Sequence, residues 1–243
     1  LDGVALVGTE LSDQLWQYCY GNGYTIAIAP DGEPRIAYVV RDRVFHARRD
    51  GERWVVEKGP IAEHDTIAFA IDAHGRSHVL YRRDDVLCHA VQDGTTWKQT
   101  KLTEKYCVHH ASVAVDADGK PHIAYMNTSK SKDQLFYATQ NGDAFTHELV
   151  DKKGNVGFGS QIAIAPDGSP WIAYRSEHSR DGASARRITD VDHRIATRTN
   201  GKWIVETVAT GGAGNAFALV DGKPHIAFAS STRGNLSLAT RDA

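Results

Sequence analysis

Cysteine is scarce in this 243-residue chain: Cys19, Cys88 and Cys107 are its only three. That is too few for a disulfide framework and leaves room for at most one bridge with a spare thiol. A charge surplus is missing too. Against 30 Asp and Glu stand 28 Lys and Arg, for a net charge of -2 with histidine neutral. Without a basic excess to neutralise phosphates, nucleic acid is not expected as a partner. No apolar run approaches the roughly 18 residues of a spanning helix, so no membrane span is expected. No signal-peptide pattern opens the chain, and a start at Leu1 rather than Met is read as an upstream segment removed. No stretch sustains a 3.6-residue apolar period, which argues against a helical fold.

What the chain does have is repetition. Five segments align on a turn glycine: "IAIAPDGEPRIAY" (26–38), "FAIDAHGRSHVLY" (69–81), "VAVDADGKPHIAY" (113–125), "IAIAPDGSPWIAY" (162–174) and "AFALVDGKPHIAF" (216–228). The glycines Gly32, Gly75, Gly119, Gly168 and Gly222 are 43, 44, 49 and 54 residues apart. Each copy reads as two short strands around a tight turn, because glycine accepts the positive φ such a turn needs. A third apolar run follows each copy, and in four copies a fourth comes after a further Asp-Gly or Asn-Gly turn. Four antiparallel strands repeating every 40 to 50 residues or so is the pattern of a β-propeller blade.

The expected fold is therefore all-β: one five-bladed β-propeller domain over 1–243. The blades run about 24–60, 66–105, 111–151, 160–209 and 215–243 with 1–10. The last copy lacks its fourth strand, and "LDGVALVGTE" (1–10) carries a matching apolar run. The N-terminal strand is expected to complete the last blade and close the ring, which removes exposed sheet edges.

Residues shared between copies read as scaffold. Tyr38, Tyr81, Tyr125, Tyr174 and Phe228 hold one position and are expected between blades. His78, His122 and His225 share theirs with Arg35 and Trp171, which reads as a facing or edge position. His46 and His89 sit in third strands, Cys88 reads as a buried small hydrophobe, and Trp54, Trp97, Trp203 and Phe145 read as blade packing.

Chemistry is sought where the copies differ, in the loops around the channel mouth. Those loops lead from each fourth strand to the next first strand and from second to third strands. "LSDQLWQYCYGNGY" brings Trp16, Tyr18, Cys19 and Tyr20. "IAEHDT" brings Glu63, His64 and Asp65. "TEKYCVHHAS" brings Tyr106, Cys107, His109 and His110. "DKKGNVGFGS" and "TGGAGNA" are glycine-rich and read as open space for a ligand. "YRRDD" adds Arg82 and Arg83, and the insertion at 174–194 adds Arg175, Glu177 and His178.

Three readings fit these residues. His64, His109 and His110 with Tyr20 can move protons near neutral pH. Arg82, Arg83 and Arg175, with Trp16, Tyr18, Tyr106 and His178, can bind an anionic substrate. This combination resembles in kind the propeller-type polysaccharide lyases, in which His and Tyr act with Arg on a uronic acid, although no motif carries over residue by residue. Alternatively His64, His109 and His110 bind zinc or copper, though no HxH or HExxH spacing is present. The third reading is pure binding, by a lectin-like or protein-interaction propeller. Copies that agree in scaffold but differ at the mouth favour one site over a multivalent lectin. Cys19 and Cys107 occupy similar loop positions and form either a disulfide or two thiols.

The repeated pattern "DGxPHIAY…YAT…G…W" resembles the repeats of sialidase-like (BNR-type) β-propellers over nearly the whole chain. It departs from the Asp-box S-x-D-x-G-x-T-W, since x-Pro and an apolar strand follow the glycine. The resemblance implies the architecture and an extracellular or periplasmic setting, not sialidase activity. The expectation is a single-site lyase or hydrolase, acting as a monomer on a polar, anionic small molecule or glycan.

Overall fold

In the computed structural model the described residues are 24–62, 67–104, 107–129, 132–178, 190–229 and 235–240. Among them are nineteen β-strands and no helix. Sheet 1 comprises β1 (Tyr24–Ile28), β2 (Pro34–Val40), β3 (Arg43–Asp50) and β4 (Arg53–Ile61). Sheet 2 comprises β5 (Ile67–Ile71), β6 (Ser77–Arg83), β7 (Val86–Asp93) and β8 (Thr96–Lys101). Sheet 3 comprises β9 (Cys107–Val115), β10 (Pro121–Ser129), β11 (Lys132–Asn141) and β12 (Ala144–Asp151). Sheet 4 comprises β13 (Asn155–Ile164), β14 (Pro170–His178), β15 (Asp190–Thr199) and β16 (Lys202–Thr210). Sheet 5 has three strands, β17 (Ala213–Val220), β18 (Lys223–Ala229) and β19 (Leu236–Thr240). Every sheet is an antiparallel meander with strands in chain order.

The repeated turn explains the repeated sequence. Gly32, Gly75, Gly119 and Gly168 each donate to a carbonyl three residues back, with φ between +76° and +83°. In sheets 2 and 3 that earlier residue is aspartate. Asp72 Oδ1 accepts from the amides of His74 and Arg76, and Asp116 Oδ1 from those of Asp118 and Lys120. The second oxygen reaches inward: Asp72 Oδ2 lies 3.4 Å from His78 Nε2, and Asp116 Oδ2 lies 3.0 Å from His122 Nε2. The chain of contacts continues from His78 Nδ1 to His89 Nε2 (3.1 Å) and from His122 Nδ1 to Tyr137 Oη (2.6 Å). The edge or facing position expected for His78 and His122 is thus an interior one, 2% and 7% exposed. A buried imidazole needs a partner. Where the copies have Ala29 or Ala165 in place of the aspartate, the histidine position holds Arg35 or Trp171.

Apolar faces join the sheets in sequence. Ala37, Val44, Phe69 and Val79 fuse sheets 1 and 2. Leu80, Leu87, Ile123 and Tyr125 fuse sheets 2 and 3. Leu135, Tyr137, Ile172 and Tyr174 fuse sheets 3 and 4. Ile195, Ile226 and Phe228 fuse sheets 4 and 5. Burying each such side chain contributes about 1.5–3 kcal/mol. Tyr81, Tyr125, Tyr174 and Phe228 are all buried at these joints, whereas Tyr38 is half-buried and stacks on Phe45. Cys88 is only partly buried, against the core between sheets 1 and 2.

The described residues do not form a closed ring. One face of sheet 1 presents Tyr24, Ile26 and Ile28, each over 60% exposed, and sheet 5 presents Leu236 and Leu238 at 79% and 65%. These are the two free ends of the row of sheets.

Several segments expected as loops are strand. β9 begins at Cys107 and pairs with β10 out to Thr128, so His109 and His110 are strand residues. Arg82 and Arg83 end β6, where "DD" is a two-residue turn with φ of +52° and +61°, the paired left-handed conformation of a tight hairpin. Arg175 and Glu177 lie in β14, and the insertion shrinks to 179–189, outside the described residues.

Candidate active site

In these meanders the turn after each second strand and the exit of each fourth strand share one end. At that end of sheets 3 and 4 the structure gathers a cluster of ionisable groups. His110 sits in a bulge of β9: the register with β10 shifts between Ser112↔Ala124 and His109↔Met126, and His110 takes φ +50°. Left-handed backbone at a non-glycine residue is uncommon and marks a constrained position. The bulge turns the His110 ring toward Phe158, with centroids 5.7 Å apart, while the His109 ring lies 6.3 Å away. The hydroxyl of Ser160 donates to the His110 carbonyl and ties β9 to β13.

Arg175 pairs with Phe158 on one side and His193 on the other. Its Nη2 lies 3.3 Å from Glu177 Oε1, with both side chains largely covered (18% and 12% exposed). Among the described residues two buried polar atoms here have no hydrogen-bond partner, Arg175 Nε and His193 Nδ1. The other nitrogen of His193, Nε2, is 3.1 Å from the Gly211 carbonyl and serves as donor to it, which leaves Nδ1 as an unmet acceptor. Asp133 on β11 accepts from Thr128 Oγ1 at 2.5 Å and faces the same region.

The electrostatics divide these groups. Burial raises the Glu177 carboxyl above its ordinary range; the attraction of Arg175 opposes this, and the charge of Asp133 adds to it. Desolvation lowers His110, with His109 and Arg175 pushing the same way and Asp133 opposing. Desolvation also lowers His193, against the pull of the Gly211 carbonyl. The cluster thus holds a cation, a carboxyl that burial shifts upward, and two imidazoles, His110 and His193, that burial shifts downward. Separated pKa values of this kind are what acid–base chemistry requires.

The glycines of "NVGFGS" do not leave open space. A Cβ on Gly157 would meet Met126 Cβ at 3.0 Å, and one on Gly159 would meet Asn215 Oδ1 at 2.7 Å. They let β13 lie close against its neighbours. Asn215 Nδ2 donates to the Gly159 carbonyl (3.0 Å), and Gln161 Nε2 donates to the Asn215 carbonyl (2.6 Å), locking sheet 4 to sheet 5 below the cluster.

Of the residues expected at the mouth, the structure brings His109, His110 and Arg175 into one region. Arg83 instead pairs with Asp84 in solvent, 3.6 Å away, and borders a groove between sheets 1 and 2, with Arg82 beside it in β6. Trp16, Tyr18, Tyr20, His64 and Tyr106 lie outside the described residues, as do the side chains of Cys107 and His178. No three His, Cys, Asp or Glu among the described residues are grouped to hold a metal ion. His193 and Asp133 were not singled out from the sequence. Their only signal was strand alternation, His193 two residues before the core residue Ile195 and Asp133 two before Leu135.

No protein-family model and no curated protein matches the chain. Solved structures do. The endo-arabinase from Bacteroides thetaiotaomicron VPI-5482 is 12% identical, with TM-score 0.54 over 91% of this chain and 94% of that one. A TolB described as putative, from Agrobacterium tumefaciens, is 13% identical, with TM-score 0.55 over 90% and 82%. The phage phi92 endosialidase is 12% identical, with TM-score 0.54 over 89% of this chain and 46% of that one. At such identities the likeness concerns the fold alone: the chain is an all-β protein with the β-propeller architecture of these structures, its five sheets matching five blades.

Proposed function

We propose that the protein is a single-site enzyme working at the mouth of the propeller channel, a lyase or hydrolase acting on a polar, anionic small molecule or glycan. One observation carries this reading. The directly paired residues Arg175 and His193 each keep a buried polar atom without a partner, beside a carboxyl that burial has raised. Unmet buried groups are costly and call for an explanation such as a ligand.

In this reading the Arg175 guanidinium binds a substrate carboxylate. Glu177, whose pKa burial raises, is the group that gives a proton to the departing glycosidic oxygen once the substrate carboxylate has taken Arg175 from it. The neutral imidazole of His110 takes the proton from the attacking water in hydrolysis, or from the carbon beside the carboxylate in elimination. An endo-arabinase and an endosialidase among the structural relatives support a glycan substrate. His64 and Tyr20 remain candidates for the proton steps, and Trp16, Tyr18, Tyr106 and His178 for lining the mouth. A His64, His109 and His110 zinc or copper site stays a proposal of the same kind. A glycan substrate also favours an extracellular or periplasmic location. We take the molecule to be monomeric, with 1–10 supplying the fourth strand of blade 5 and the exposed faces of blades 1 and 5 closing on each other.

The test is a panel of uronate-containing and sialylated oligosaccharides. Cleavage by the parent, reduced at least about 100-fold in Glu177→Gln with unchanged melting temperature, supports the reading. An unsaturated, ultraviolet-absorbing product identifies the lyase, and a saturated reducing end the hydrolase. Binding without cleavage across the panel would favour the alternative, a non-catalytic ligand- or glycan-binding propeller. That alternative draws on the Arg175–Glu177 ion pair, which occupies both groups until a ligand displaces it.

A further inference from the structure

The joints between neighbouring blades carry a repeated feature. A groove of about 1000 Å³ lies between blades 2 and 3, and one of about 340 Å³ between blades 1 and 2. Both are within or close to the range of about 300–1,000 Å³ of small-molecule sites. They are the same place in successive repeats. Phe145 and His147 line the first, and Trp97 and Gln99 line the second, at equal offsets from the turn glycines Gly142 and Gly94. Asn127 and Arg83 correspond likewise, counted from Gly119 and Gly75.

We propose that these inter-blade grooves are repeated subsites for an acidic sugar residue, a second kind of binding site independent of the activity at the mouth. Each groove presents the parts that such a ligand needs. An aromatic ring offers an apolar surface for a pyranose face: Phe145 is braced edge-on by His89 at 5.6 Å, and Trp97 by His46 at 6.0 Å. A polar side chain is held in place beside it. The Tyr81 hydroxyl donates to Gln99 Oε1 at 2.7 Å, and at the equivalent position the Tyr125 hydroxyl lies 2.9 Å from His147 Nδ1. Gln99 keeps its amide donors for a sugar hydroxyl. In the larger groove Asn127 Oδ1 is buried with no partner among the described residues.

Cations complete both sites: Lys98 and Lys101 in the larger groove, which Asp143 and Glu104 also line, and Arg43 and Arg83 in the smaller. Lys98 reaches Asp143 at 3.0 Å and Lys101 reaches Glu104 at 2.9 Å, but those carboxylates are 92% and 81% exposed. Ion pairs in solvent are weak, so the carboxylate of a ligand lying against the ring can replace them. That charge complementarity favours a uronic or sialic acid residue over a neutral sugar.

Titration of isotope-labelled protein with methyl galacturonide, followed by NMR, tests the proposal. The Trp97 indole N–H and the Asn127 side-chain amide should both shift. A dissociation constant on the order of 1 mM is expected for a ligand of about a dozen heavy atoms. Methyl glucoside should bind at least about tenfold more weakly. In Lys98→Ser/Lys101→Ser, which alters only solvent-facing side chains, the Asn127 response should weaken several-fold while the Trp97 response persists. Shifts confined to the neighbourhood of Arg175 and Glu177, no shifts at either groove, or equal binding of the neutral glycoside would overturn the assignment.

Discussion

Acid should weaken this fold well before its carboxylates titrate. His46 and His89 are almost fully buried, 0% and 2% exposed. Desolvation is the first cause in both and carries His46 from 6.5 down to about 4 and His89 down to about 3. Glu57, 3.8 Å from His46 Nδ1, opposes the shift without overcoming it. Because the folded-state values are depressed, the unfolded chain takes up protons first. The stability these residues contribute is therefore complete above about pH 6.5. It is lost as pH falls from there to about 4 for His46 and about 3 for His89, then levels off. At about pH 5.5, one unit below the unfolded value, each costs about 1.4 kcal/mol, so together about 3 kcal/mol out of a typical 5–15. His78, His122 and His193 are shifted in the same direction and add to the loss; Glu177, raised by burial, works against it. Urea unfolding at about pH 7.5 and 5.5 measures the difference. His46→Gln/His89→Gln, which cannot titrate, should remove about 3 kcal/mol of it. A parent whose midpoint is the same at both pH values, or a double variant with the same loss as the parent, refutes the reasoning.

Other consequences are checked more simply. Tyr174→Phe removes the hydroxyl that donates to Asp151 Oδ2 at 2.7 Å; it leaves Arg194 as that oxygen's remaining partner, with the Lys153 amide on Oδ1, and should cost about 1–3 kcal/mol by thermal unfolding. Gly159→Ala combines φ +58° with a Cβ 2.7 Å from Asn215 Oδ1, so it should destabilise by about 1–3 kcal/mol and weaken ligand binding at the mouth, read by calorimetry. On the acid–base reading, elemental analysis of protein purified without chelators should find no stoichiometric zinc or copper; a stoichiometric ion that disappears in His109→Ala/His110→Ala would establish the metal reading instead.

The blade pattern was legible because the repeat spells its own turn: a glycine at positive φ followed by an aromatic that the preceding sheet buries, as with Gly75 and Tyr81. The pairing of Asp72 with His78 and Asp116 with His122 was partly written in the chain: both members vanish together in two other copies, while the fifth keeps His225 with Leu219 at the aspartate position. The mouth was less legible. Extended pairing draws His109, His110 and Arg175 out of expected loops and into strands, and only the bulge at His110 aims its ring at Phe158. His193 and Asp133 reach the cluster through cross-strand register, and register depends on turns and bulges that local composition does not encode.

Locating an acidic ligand on the molecule tests the central claim most directly. A crystal structure with a bound uronate oligosaccharide should place a carboxylate on Arg175 and a glycosidic oxygen within hydrogen-bonding distance of Glu177. Ligand found only in the grooves between blades, or an Arg175–Glu177 pair left untouched at saturation, would contradict it.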